Sequence, residues 1–276
     1  TMLARKTIFK RFSPSYSFIR RNICRSLSSL PNPSENQAIS PDLIRNVAII
    51  AHVDHGKTTL VDKLLQSSTK SKMGEIEVSE DRLMDSMALE QERGITIMSK
   101  CTRLDYKQYT LNVVDTPGHA DFGGEVERIL SMVNGVLLVV DSSEGPMSQT
   151  KFVLGKALNA GLKPVVVINK VDRETARLTG EVENELFDLF VSLGAEDYQL
   201  EYPTLYASGR VGWATPYLDD AIAWASRPPE GLKMGELLNA IIENVPPPYS
   251  PEILDEPFSF SINNIGTDIF LGPLST

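Results

Sequence analysis

Cysteine is scarce in this chain: Cys24 and Cys101 are the two among 276 residues. Two sulfurs so placed build neither a disulfide framework nor a zinc site. Long apolar runs are missing too. The most hydrophobic stretches, 135–140 and 164–168, fall far short of the ~20 residues that span a bilayer, and they read as buried strands. No membrane partner is expected. Acidic residues are absent from positions 1–30, which carry seven Lys or Arg. The remainder holds 20 basic against 36 acidic residues, so it offers no broad basic surface for nucleic acid.

The acid-free start is also rich in serine, with Phe9, Phe12, Phe18 and Ile19 scattered among the positive charges. That composition is expected of an organelle transit peptide. The arginine content favours the mitochondrial matrix, with the plastid as alternative; a disordered nucleic-acid-binding arm is the plainer reading. Residues 1–41 close with Pro31, Pro33 and Pro41 and are expected to be leader and linker.

From Arg45 onward the pattern alternates strand and helix. Strands are expected at 47–51, 99–104, 109–114, 136–140, 164–168 and 204–207. Helix faces are expected at Leu60/Val61/Leu64/Leu65, Phe122/Val126/Ile129/Leu130, Leu186/Phe187/Phe190/Leu193 and Leu237/Leu238/Ile241/Ile242/Val245, and a helix from Phe152 to Leu158 ended by Gly161. Strand–helix alternation of this length implies an α/β fold: a doubly wound, mostly parallel sheet with one antiparallel hairpin at 99–114. Pro246, Pro247 and Pro248 stop the last helix. The expected domain is 42–247. Residues 248–276 then read as a linker and the first strand, 257–264, of a β-barrel domain that the chain does not complete.

The chemistry-bearing segments sit at strand ends, where α/β sheets present ligand groups. Residues 51–58, Ala-His-Val-Asp-His-Gly-Lys-Thr, follow a β-branched run and open a helix. A phosphate loop needs backbone N–H groups aimed at oxygens at a helix N-terminus. Gly56 permits close approach, Lys57 brings a charge to the β and γ phosphates, and Thr58 offers a hydroxyl to Mg²⁺. Asp54, His55 and Thr59 complete the loop's expected GTP contacts. Ala51 stands where the usual pattern begins with Gly.

Asp115 ends a buried strand and is expected to hold Mg²⁺, through water. Gly118 can turn a backbone N–H toward the γ phosphate, and His119 can orient the attacking water. Gly123 and Gly124 each cost about 1 kcal/mol relative to Ala in a helix; either a segment that rearranges or tight packing would explain them. Thr96, in Arg-Gly-Ile-Thr-Ile, can complete the Mg²⁺ shell when a γ phosphate is present. Asn169-Lys170-Val171-Asp172 closes another strand: Asp172 can accept from two donors of guanine that adenine lacks, and Lys170 can lay its stem along the base. Ser208-Gly209 is expected to turn a backbone N–H toward the guanine O6.

These segments together resemble the translational GTPases. Asp85-Ser86, Glu92 to Ile97, Gly118 to Arg128 with its Gly-Gly-Glu-Val-Glu-Arg stretch, and Asp141…Gly145-Pro146-Met147 resemble the TypA/BipA group within them. The resemblance covers about residues 45–262. It implies a P-loop G domain, binding of GTP and GDP with Mg²⁺, hydrolysis assisted by His119, and association with the ribosome (rRNA) mainly through domains not in this chain. It also implies that Val53 and Ile95 form an apolar gate beside the attacking water, and that Asp54 helps bind a monovalent cation. A monomer is expected. Elongation factor G and elongation factor 4 are alternative family members. A nucleotide kinase using ATP and a truncated nucleotide-gated module with negligible turnover are the alternatives outside this role.

Overall fold

The computed structural model describes residues 40–70, 100–116, 123–249, 265–268 and 272–275. Of the sequence expectations, the leader, the polar loop before Thr96, the strand at 257–264, and the residues Ile95, Thr96, Gly118, His119 and Phe122 lie outside these.

A short 3₁₀ turn, Pro41–Leu43, leads into β1 (Ile44–Ala51). There follow α1 (Lys57–Lys70), β2 (Lys100–Tyr106), β3 (Tyr109–Asp115), α2 (Gly123–Leu130), β4 (Gly135–Asp141), α3 (Ser148–Asn159), β5 (Lys163–Asn169) and α4 (Glu181–Ser192). After these come α5 (Asp197–Leu200), β6 (Thr204–Ser208), β7 (Trp213–Thr215), α6 (Leu218–Ser226), α7 (Gly235–Asn244), β8 (Ile265–Asp268) and β9 (Gly272–Ser275).

Seven strands form one sheet in the order β2-β3-β1-β4-β5-β6-β7. β1 runs parallel to both β3 and β4, and β4, β5 and β6 are parallel in turn. β2 is antiparallel to β3, which is the expected hairpin. β7 adds a second antiparallel pair at the opposite edge. Three residues are too few to give a period-2 signal, so β7 was not legible in the sequence. β8 and β9 pair as a separate antiparallel hairpin, C-terminal to the strand expected at 257–264.

The parallel strands are near-continuous apolar runs because both sheet faces are covered. Period-2 alternation divides β1: Val47, Ile49 and Ala51 face one layer with Leu60, Val61 and Leu64 of α1 and Leu237, Leu238, Ile241 and Ile242 of α7. Ala48 and Ile50 face the other, with Val126 and Ile129 of α2, Leu154 of α3, and Leu186 and Phe190 of α4. On α4 the buried face is Val182, Leu186, Leu189 and Phe190, while Phe187 is exposed. The expected stripe through Phe187 is thereby corrected: the helix turns about 100° per residue, which carries Phe187 off the face that Leu186 occupies. Among the described residues, a Cβ placed on Gly124 would meet nothing within 4 Å, so packing against them is not what calls for glycine there.

Strand order reverses at β1, whose two parallel neighbours come from later in the chain. The loops that leave the carboxyl ends of β1, β3, β4, β5 and β6 therefore share one rim. A crevice at such a switch point is where doubly wound sheets bind ligands.

Candidate functional site

The loop between β1 and α1 makes the rim's sharpest turn. Asp54 has φ +66° and Gly56 φ +89°, the left-handed region that glycine enters without cost and aspartate tolerates. Gly56 is also required by space: a Cβ there would stand 2.5 Å from Nδ2 of Asn169. The backbone N–H of Leu60 donates to Gly56 O at 3.0 Å, so α1 begins as soon as the turn ends. The helix N-terminus then faces the loop with its positive end, which suits an anion.

Lys57 opens α1, and its ammonium lies 2.6 Å from Oδ1 of Asp115. It also donates to the backbone carbonyl of Thr116. Lys57 and Asp115 are both buried. The Thr116 hydroxyl donates to Ile49 O at 2.5 Å, which ties the end of β3 to β1. Thr58 is half-buried and Thr59 exposed on the first turn of α1. Val53 is half-buried in the loop, and Asp54 is exposed.

At the other end of the rim, Asn169 uses both of its amide atoms inside the protein. Nδ2 donates to His55 O at 2.9 Å, and Oδ1 accepts from the Gly209 N–H at 2.9 Å. One side chain thus braces the loops after β1, β5 and β6. The Gly209 N–H, expected to turn toward a base, is here donated to Asn169 Oδ1. Ser208 is buried, and its hydroxyl accepts from the Val211 N–H at 3.3 Å. Lys170 has φ +61°, and its ammonium lies 2.7 Å from Asp141 Oδ2. Asp172 is half-buried in the turn that follows.

His55 was expected among the ligand contacts, but its ring turns inward and is fully buried. Nδ1 accepts from the Asp141 N–H at 3.3 Å, and Nε2 lies 3.3 Å from Glu144 Oε2. Burial holds its imidazole below the ordinary histidine value, against the opposing pull of a backbone hydrogen bond at Val139 and of the Asp141 and Glu144 charges. The sequence reading assigned no role to Asp141, yet the structure places it in the rim. The signal was available: a carboxylate closing a fully buried strand is the same feature that singled out Asp115.

Lys57, Asp115, Asn169, Lys170 and Gly209 are therefore brought together. The oxygens available for a cation are the Asp115 carboxylate and the Thr58 hydroxyl, hard donors that suit Mg²⁺. Among the described residues no three His, Cys, Asp or Glu side chains gather as a preformed cage. Mg²⁺ held by one or two protein groups plus phosphate oxygens has no need of such a cage, so the residues present fit it.

A model of the elongation factor Tu GTP binding domain family matches residues 42–247. The chain belongs to that family. Among its relatives, the large ribosomal subunit assembly factor BipA of Buchnera aphidicola is 53% identical over 230 residues, 83% of this chain and 35% of that protein. The BipA of Synechocystis is 51% identical over 230 residues, 83% of this chain and 36% of that protein. The TypA/BipA resemblance read from the sequence is borne out. The chain spans about a third of the length of these curated relatives. The crystal structure of a bacterial selenocysteine-specific elongation factor, EF-Sec, shares the fold with a TM-score of 0.51. It is 25% identical, with 71% of this chain and 29% of that chain covered.

Proposed function

We propose that this G domain binds GTP and GDP with Mg²⁺ at the rim, hydrolyses GTP to GDP and phosphate, and works on the ribosome. The single observation that carries this reading is the meeting of Lys57 with Asp115 on a loop that Asn169 braces to the 169–172 turn. It supports a polyphosphate cradle and a purine-reading turn that serve one ligand.

Lys57 and the backbone N–H groups at the start of α1 bind phosphate oxygens. Thr58 and Asp115 would hold Mg²⁺, joined by Thr96; bound there, the metal neutralises charge on the β and γ oxygens. Asp172 accepts from the guanine edge. His119 orients the attacking water, Val53 and Ile95 keep its surroundings apolar, and Asp54 contributes to a monovalent cation site. Ribosome association is carried over from relatives named as large ribosomal subunit assembly factors, at 51–53% identity. The basic, acid-free start supports delivery to an organelle, the mitochondrial matrix by preference.

The test is competition for a fluorescent GDP analogue on the purified chain, followed by single-turnover hydrolysis. GTP and GDP are expected to displace the probe, and ATP to do so about 10⁴-fold less well. Unassisted turnover should be about 10⁻⁴ to 10⁻³ s⁻¹, and His119→Ala should abolish it while leaving GTP affinity intact. Displacement by ATP at the same concentration as GTP would overturn the reading.

A further inference from the structure

Asp141 closes β4 at a point where three stretches of chain meet. Its carboxylate is fully buried. Oδ1 accepts from the Ser143 N–H at 2.8 Å, while Oδ2 lies 2.7 Å from Lys170 Nζ and 3.6 Å from Arg173 Nη1. The backbone N–H of Asp141 donates to the His55 ring of the phosphate loop. The next residue holds the same turn: the Ser142 N–H donates to Asn169 O at 2.9 Å, and its hydroxyl to Lys170 O at 3.2 Å. Lys170 itself sits in the left-handed region, which disfavours a residue with a side chain and persists only where the surroundings enforce it. The Lys170 stem comes within 3.8 Å of where a Cβ on Gly56 would lie. It therefore runs across the phosphate loop before its ammonium reaches Asp141.

We propose that Asp141 is a positioning residue for nucleotide binding, acting through Lys170. It anchors the ammonium beyond the phosphate loop, so the aliphatic stem stands as a fixed wall between the phosphate and base ends of the rim. This rests on the guanine-nucleotide reading above. A lysine stem has many rotamers, and one already anchored has lost that freedom before a ligand arrives; such preorganisation strengthens binding without adding a ligand contact. Burial by itself would raise the Asp141 carboxyl, but the Lys170 hydrogen bond and charge, with the Ser143 N–H and Arg173, hold it below the usual carboxylate range. The anchor is therefore charged at neutral pH. Arg173, farther away and half exposed, is not the anchor.

The experiment is stopped-flow release of a fluorescent GDP analogue from the full chain, with melting followed by circular dichroism. Asp141→Asn is expected to release GDP about tenfold faster, the loss of one charge-assisted hydrogen bond. Lys170→Met should do the same, and the double variant should be no faster than Lys170→Met alone. Asp141→Glu should recover part of the loss, and Arg173→Gln should release at the wild-type rate. The GTP-over-ATP preference should not change. A wild-type release rate in Asp141→Asn, or effects that multiply in the double variant, overturns the inference, because Asp141 would then serve the fold and not Lys170. Should Asp141→Asn not fold, Lys170→Met carries the test, and a wild-type rate there is equally fatal. Failure of the wild-type chain to bind the probe overturns the guanine-nucleotide reading together with this one; binding without coupling overturns this one alone.

Discussion

At the base end of the rim, Asn169 joins three loops through a neutral amide, with the hydroxyl and N–H of Ser142 supporting it. At the phosphate end, Lys57 and Asp115 meet as opposite charges, both buried. The two halves therefore answer a ligand differently. Neutral amide bonds are satisfied inside the protein and stay made, which fixes the distance between loops. The Lys57–Asp115 pair, unlike the Lys170–Asp141 anchor, is one that a polyphosphate and a divalent cation can take over, so the energy of that end is the energy of exchange. One half is a frame and the other is a reactive mouth, and each kind of substitution should damage one property more than the other.

Lys57→Ala should have the largest effect, and on binding. It removes the charge expected on the β and γ phosphates, worth about 3–4 kcal/mol, or about 10²- to 10³-fold in GTP affinity. Titration calorimetry reads this directly. If affinity fell less than tenfold, the helix N-terminus alone would be carrying the phosphates, and the contrast between frame and mouth would fail.

The mouth was the more legible half. Gly56, Lys57, Thr58 and Asp115 announce themselves because each is a residue type with one chemical use at a fixed place relative to a strand end. The frame depends on contacts such as His55 with Asp141 or Asn169 with Gly209, which are distant in the chain and leave no local pattern. Asn169 was visible as the first residue of a strand-ending motif, while its partners His55 and Gly209 were not. The same limit applied to the fold. Long apolar runs such as β4 and β5 were plain, whereas α5, β7 and α6 were passed over. α5 did carry a signal: Glu196 and Gln199 form a capping box, the side chain of each bonded to the other's backbone, and this spacing can be searched for directly. Phe187 misled because adjacent apolar residues on a helix were assigned to one face without counting the angle between them.

Asn169→Ala tests the frame. It leaves His55 O and the Gly209 N–H without their side-chain partners, at about 1–3 kcal/mol for each orphaned buried group. Denaturant unfolding should show a loss of about 2–6 kcal/mol. GTP and GDP affinities should fall by similar factors, because the loops move apart whichever nucleotide is offered. Loss of affinity with unchanged unfolding stability would make Asn169 a ligand contact after all.

The smallest expected effect separates the halves by pH. The folded His55 imidazole sits below its ordinary value of 6.5, chiefly through burial. The unfolded chain therefore takes up a proton near pH 6.5 that the folded chain still refuses. Stability from this group is fully present above pH 6.5 and is lost as the pH falls from there through the folded value, with a slope of at most about 1.4 kcal/mol per pH unit. Asp141, also held low in the folded state, contributes the same sign of slope only at more acid pH, below its ordinary value of 3.8. In His55→Gln, whose amide oxygen can still accept from the Asp141 N–H, the slope beginning at pH 6.5 should flatten while the acid limb due to Asp141 remains. Urea midpoints measured at half-unit steps from pH 7.5 down to pH 2.5 distinguish the two. An unchanged slope in His55→Gln would mean that the ring accepts a proton as readily folded as unfolded, and that the junction of phosphate loop and β4 is wetter than its burial implies.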